Sequence, residues 1–169
     1  TQILHGLNGG GDLILRQAGE QDYAQLAEMK WLHCQEDDAA YGESNLAGVD
    51  RAAFTGAFVA FLKNQTTYRI FIACDRDRVA SAMFVGLIPK IPKPNRKSES
   101  IAYLTNVYTR KEYRGQGIGT KLLDHIKQQL MQQACELLFV WPSDRSVPWY
   151  ERNGFLQENE LMECPLGEE

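Results

Sequence analysis

The seven residues Arg114-Gly115-Gln116-Gly117-Ile118-Gly119-Thr120 constrain this chain more than any other segment. Before them the sequence reads as a strand; after them Ile118, Leu122, Ile126 and Leu130 recur every four residues, the spacing of one buried helix face. Glycines at such a junction let the backbone turn tightly and leave its amides uncovered by side chains. Amides at a helix N-terminus, aided by the helix dipole, form an anion site for which a diphosphate is the natural ligand. A nucleotide P-loop would need G-x-x-x-x-G-K-[ST], which is not supplied here. A dinucleotide fingerprint would need G-x-G-x-x-G near the start of a βαβ unit, whereas this G-x-G-x-G stands late in the chain.

The elements around the junction are read from periodicity. Leu137-Leu138-Phe139-Val140-Trp141 is an unbroken apolar run, as in a strand covered on both faces. It is expected to lie parallel to a strand over about Ser100–Thr109, the helix of about Gly117–Gln133 forming a right-handed crossover between them. Upstream, Leu13–Arg16 reads as a first strand, followed from about Asp22 by a helix with Tyr23, Leu26, Ala27 and Trp31 on one face. Gln35–Val49, with Glu36, Asp37, Asp38, Glu43 and two glycines, reads as a mobile acidic loop. Asp50 is placed to cap a second helix whose Phe54, Phe58, Phe61 and Leu62 form a core-facing stripe. Tyr68–Cys74 and Val79–Ile88 make a hairpin around a turn at Asp75–Arg78. It ends in a basic loop marked by Pro89, Pro92 and Pro94 with Lys90, Lys93, Arg96 and Lys97, read as a solvated tip. A short helix over about Ser146–Arg152 stops at the left-handed cap pair Asn153-Gly154, and Phe155–Leu166 reads as closing β structure. Residues 1–11, ending in Gly9-Gly10-Gly11, read as a flexible tail, native or appended, leaving 12–169 as a single domain.

Composition removes several classes of function. A chain of 169 residues suits one domain, and 44 % hydrophobic residues suffice for a core without a metal or disulfide. The net charge of −4 argues against a nucleic-acid partner, which favours a basic face. Cys34, Cys74, Cys135 and Cys164 form no C-x-x-C pair, so no metal site or disulfide framework is expected, and reduced thiols suit a cytoplasmic protein. No apolar run approaches the ~20 residues of a membrane span, and no signal peptide opens the chain, so no membrane partner is expected. His5, His33 and His125 are scattered and read as surface or packing residues.

The loop fits the R/Q-x-x-G-x-G/A motif of the GNAT acetyltransferase superfamily. Asn106-Val107-Tyr108-Thr109 at the preceding strand end, and Tyr150-Glu151-Arg152-Asn153-Gly154-Phe155 (Y-x-x-x-G-F) about 30 residues on, resemble that family too. The element order is similar over about Leu13 to Leu166. The resemblance implies a mixed α/β sheet of six or seven strands with about four helices, splayed between the fourth and fifth strands, those of residues 100–109 and 137–141. It implies an N-acetyltransferase that uses acetyl-CoA as co-substrate and a small-molecule primary amine as acceptor, in direct attack. No cysteine adjoins the motif, so no covalent enzyme intermediate is implied. A homodimer is compatible with it.

By the same resemblance, the Arg114–Thr120 segment is the cofactor-binding loop. The amides of Gln116, Gly117, Ile118, Gly119 and Thr120 would hold the coenzyme A diphosphate, and Arg114 and Gly115 open the motif. Val107, Tyr108 and Thr109 would pair with the pantetheine arm like an added strand, the Val107 amide also donating to the developing oxyanion. Tyr150 is the candidate general acid for the departing thiolate, against the plainer reading of a ring packed beside Phe155. Ser143 stands where many relatives carry an asparagine that contacts pantetheine. Tyr103 occupies the position at which the histone-acetylating branch keeps a glutamate, so a histone-type base is not implied. By strand alternation Tyr103 and Thr105 should face the same groove as Val107, where they would hold a water or simply pack. The acidic segment would attract a cationic amine, or be solvated surface. Two other readings are a catalytically silent acyl-CoA-binding regulatory module and a phosphate-binding interaction domain.

Overall fold

A computed structural model describes residues 1–5, 11–94, 99–157 and 161–166. Among them six strands form one sheet in chain order: β1 (Gln2–Leu4), β2 (Leu13–Gln17), β3 (Tyr68–Asp75), β4 (Arg78–Pro89), β5 (Ser100–Thr109) and β6 (Cys135–Val140). Four α-helices accompany them: α1 (Tyr23–Tyr41), α2 (Arg51–Asn64), α3 (Ile118–Met131) and α4 (Val147–Arg152). Neighbouring strands are antiparallel except β5 and β6, which run parallel because α3 carries the chain back between them. None of the described helices is long and apolar enough to cross a membrane.

The sheet is covered on both faces. On one, α3 buries Ile118, Leu122, Leu123, Ile126 and Leu130 against Leu15, Phe71, Met83, Val85 and Leu104. Burial of an aliphatic side chain contributes roughly 1.5–3 kcal/mol, so this stripe, more than helix propensity, holds α3 in place. On the other face, Leu26 and Met29 of α1 and Leu62 of α2 pack on Ile70, Ile72, Val79, Ala82 and Phe84. The Asp50 carboxylate caps α2 by accepting from the Ala53 amide at 2.8 Å, as its position in the sequence predicts.

Several expectations change. Of the stripe expected on α2 only Leu62 is fully buried, and Phe61 is 46 % exposed. The acidic stretch is not loop throughout, because α1 continues through Glu36, Asp37 and Asp38 to Tyr41. Ala39 and Ala40 favour that continuation, and Gly42, left-handed at φ 67°, ends it with its N–H on the Asp38 carbonyl. Gln2–Leu4 is not a tail but an edge strand, in register with Leu13–Leu15; residues 6–10, with Gly9 and Gly10, lie outside the described residues. The apolar run of β6 is not covered on both faces: Leu137 and Trp141 are each 55 % exposed. The reason lies in the C-terminal segment, which forms no strand over 155–157 or 161–166 and so gives β6 no outer neighbour among the described residues. Residues 158–160, and Arg96 and Lys97 of the basic loop, lie outside the described residues. The sixth strand thus comes from the start of the chain rather than its end.

One further change shapes the site. In the β4–β5 ladder Ala82 pairs with Tyr108 and Phe84 with Thr105, leaving Asn106 and Val107 opposite Met83 alone. Asn106 absorbs this bulge at φ 50°, a left-handed conformation that asparagine tolerates better than most residues. The extra residue reverses the alternation. Val107 packs with Ala102 and Leu104 on the α3 side, whereas Tyr108 joins the α1–α2 core. Tyr103 therefore does not reach the groove beside Val107, although Thr105 does. The Tyr103 ring instead stacks on Phe139 (5.4 Å) and meets Trp141 edge-on (5.0 Å).

Candidate active site

The parallel pairing of β5 with β6 ends at Leu104 and Val140. Beyond it β5 runs on to Thr109 while the other chain turns away through Trp141, Pro142 and Ser143, and a cavity of about 630 Å³ opens in the gap. This is the splay expected between the strands of residues 100–109 and 137–141. The cavity is walled by Thr105, Asn106, Val107 and Thr109 of the bulged strand, by the glycine loop, by Trp149 and Tyr150 of α4, and by His33, Asp37, Tyr41 and Glu43.

The glycine loop forms its floor. Gly115 (φ 74°) and Gly117 (φ 73°) are both left-handed, and a Cβ at either would meet nothing within 4 Å. The backbone turn, not crowding, is what requires glycine there. Gly117 is the N-cap of α3 and has no side chain to bond the first-turn amides. Gly119 differs: a Cβ would stand 3.4 Å from the Trp149 ring and 3.5 Å from Thr109 Oγ1, so its smallness brings α3 close to α4 and β5. Arg114 anchors the loop, its Nε donating to the Thr109 carbonyl at 2.8 Å and its Nη2 to the Glu36 carboxylate at 2.9 Å. The same guanidinium lies over the Tyr108 ring at 5.3 Å.

Glu36 is therefore committed. It accepts from Tyr108 Oη at 2.8 Å as well as from Arg114. Burial alone would push its carboxyl up, but these hydrogen bonds outweigh it and the group titrates below the usual carboxylate range. Burial, then the bond to Glu36, push the Tyr108 phenol up. Asp38 is committed too, accepting from the Asn45 and Leu46 amides at 2.9 and 3.0 Å. Of the four acidic residues singled out in the sequence, Asp37 and Glu43 are the two that line the cavity.

Tyr150 is 6 % exposed, its ring held edge-on by Trp149 (5.0 Å) and Phe155 (5.2 Å). Among the described residues no group hydrogen-bonds its hydroxyl, although the side chain borders the cavity. Burial pushes the phenol up to about 12, so it stays protonated at neutral pH. Ser143 also borders the cavity, but its Oγ donates to Ser146 Oγ at 3.1 Å and its carbonyl receives the Ser146 amide at 2.9 Å, building the turn into α4.

Every sequence-derived site residue except Gln116 and Tyr108 lines this one cavity. Gln116 turns its amide side chain back to the Glu112 carbonyl at 3.2 Å, and Tyr108 faces the opposite core. Sequence reasoning passed over His33, whose ring stacks on Tyr108 (5.2 Å, 28° between planes) with Nε2 at 3.6 Å from Asp37 Oδ2. The His33–Asp37 spacing of i, i+4 was a visible signal, but which face of α1 meets the split was not.

A family model for the acetyltransferase (GNAT) domain matches residues 66–157. A predicted acetyltransferase from Clostridium acetobutylicum, solved with acetyl-CoA, is similar at 22 % identity and TM-score 0.67, over 91 % of this chain and 96 % of that one. A Trypanosoma brucei acetyltransferase is 21 % identical with TM-score 0.64, over 92 % and 100 % respectively. An aminoglycoside acetyltransferase from an uncultured soil metagenomic sample, in complex with sisomicin, is 16 % identical with TM-score 0.63, over 93 % and 97 %. No curated protein matches the chain. The matched segment spans more than half of the sequence and contains the bulged strand, the glycine loop and Tyr150, which places this protein in the GNAT acetyltransferase family.

Proposed function

We propose that this protein is an N-acetyltransferase that moves the acetyl group of acetyl-CoA to a primary amine of a small, cationic molecule by direct attack within a ternary complex. The observation that carries this reading is the parting of β5 and β6 directly beside the glycine loop, with Tyr150 at the same cavity. The uncapped first-turn amides of α3 suit a diphosphate, and the left-handed glycines leave room for it. The exposed end of β5 beyond Leu104 suits an extended pantetheine arm, with the bulge presenting Val107 toward the α3 side, where its amide would serve the oxyanion.

Tyr150 is the candidate donor to the departing sulfur. With its pKa near 12 and a thiol near ~8.5, complete proton transfer would be uphill by roughly 5 kcal/mol. Its role is therefore to hydrogen-bond the sulfur as charge develops there, lowering the barrier without becoming a phenolate. Asp37 and Glu43 supply the negative rim that suits a cationic acceptor.

A panel of amines assayed by thiol release tests the reading. Small primary amines with several positive charges should turn over, and neutral or acidic amines should not. Tight coenzyme A binding with no turnover of any amine would instead identify a catalytically silent acyl-CoA-binding module.

A further inference from the structure

We propose that His33 accepts the proton that the acceptor's amine must lose, acting from α1 as a wall of the same cavity as Val107 and Tyr150. This assignment rests on the proposed transfer to an amine. At neutral pH such an amine is almost wholly ammonium, with a pKa near ~10.4, and has no lone pair with which to attack. A base within the cavity is therefore needed. Of the residues lining it, Tyr41, Tyr113 and Tyr150 carry phenols and Asp37 and Glu43 carboxylates; as classes, phenols hold their proton at neutral pH and carboxylates are weak bases. His33 is the lining imidazole, the side chain whose basicity lies nearest the working pH.

Its surroundings suit the task. Stacking on Tyr108 fixes the ring plane, and the Tyr108 hydroxyl is committed to Glu36 rather than to the imidazole. The imidazolium formed on proton uptake would find the Asp37 carboxylate 3.6 Å from Nε2, a counter-charge already in place. The charged groups around the ring are Asp37 and Glu36, which favour protonation, and Lys30 of α1 and Arg114 of the glycine loop, which oppose it. Burial, the largest influence, pushes the imidazole down, so the ring is neutral and able to accept at pH 7.

The step balances. The ammonium gives one proton to a ring nitrogen of His33, directly or through one water, and the freed lone pair forms the C–N bond to the acetyl carbon. The C–S bond breaks with its electron pair on sulfur, where Tyr150 hydrogen-bonds it, and the second amine proton ends on the thiol. The His33 proton leaves to solvent, so one proton is released per turnover.

The experiment compares wild type with His33→Gln and with His33→Phe, which keeps a ring on Tyr108 but cannot take a proton. Kanamycin and spermidine serve as probes, with both substrates saturating. Wild-type kcat should fall with unit slope toward acid, on a limb lying below the ordinary imidazole range and at a pH that does not move with the acceptor's own pKa. Both variants should lose that limb and about 10²–10⁴ in kcat while keeping the KM for acetyl-CoA. Added imidazole should restore part of the rate to His33→Ala. Near-normal kcat in His33→Phe, or an acidic limb that persists in both variants, would show that His33 only packs. Wild type that turns over neither probe nor any other amine would defeat the functional reading itself, a result distinct from the failure of His33 alone.

Discussion

Tyr150 shows burial and reactivity pulling against each other in one side chain. Packing by Trp149 and Phe155 places the phenol and keeps it protonated, yet the same burial makes it a weaker acid than a free tyrosine. In the proposed transfer, a group in that position contributes as a fixed dipole, which needs no reorganisation when negative charge appears on sulfur. Tyr150→Phe keeps the ring packing and removes only the donor. It should leave acetyl-CoA affinity nearly unchanged and lower kcat by about 10²–10⁴ in a stopped-flow measurement of the chemical step. Because the phenol titrates near 12, wild-type kcat should show no descending limb from Tyr150 between pH 7 and 10. An unaltered rate in the variant would make Tyr150 a packing residue.

At the scale of elements, the N-terminus of α3 and the bulge of β5 carry the site, and the sequence disclosed them unequally. The glycine loop was legible because its requirement is local: φ values of 73–74° at Gly115 and Gly117 favour glycine whatever surrounds them. Gly117→Asn and Gly117→Asp separate backbone from charge, since both residues enter the left-handed region more readily than most but only Asp repels a diphosphate. By titration calorimetry, Gly117→Asp should weaken coenzyme A binding at least tenfold beyond Gly117→Asn, with both variants folded. The bulge at Asn106 was not legible, because period-two alternation gives no sign of where one residue is inserted, and of the groove expected to be shared by Tyr103, Thr105 and Val107, only the Tyr103 part failed. The continuation of α1 was missed for another reason. Glu36-Asp37-Asp38 looks like solvated loop by charge, while Gly42 is what ends the helix. Gln2–Leu4 is too short for any pattern, and only its pairing with β2 reveals it as a strand.

Across the whole molecule, a net charge of −4 and an acidic cavity rim favour the approach of cations, mainly by raising the rate of encounter. Asp37→Asn together with Glu43→Gln should raise the KM for spermidine or kanamycin and flatten its dependence on salt, leaving the KM for acetyl-CoA in place. A KM indifferent to both salt and substitution would reduce the rim to solvated surface. The two cores and the two ends of the cavity share one strand, and that strand is written in two reading frames. Up to Leu104, even-numbered residues of β5 face α3; from Val107 onward, odd-numbered ones do. A one-residue deletion at Asn106 would remove the bulge yet leave Val107 on the α3 side and Tyr108 on the α1 side, whereas one residue inserted after it would exchange the sides of all that follows. Chain length at this point therefore decides which of the two cores the Tyr108 ring joins.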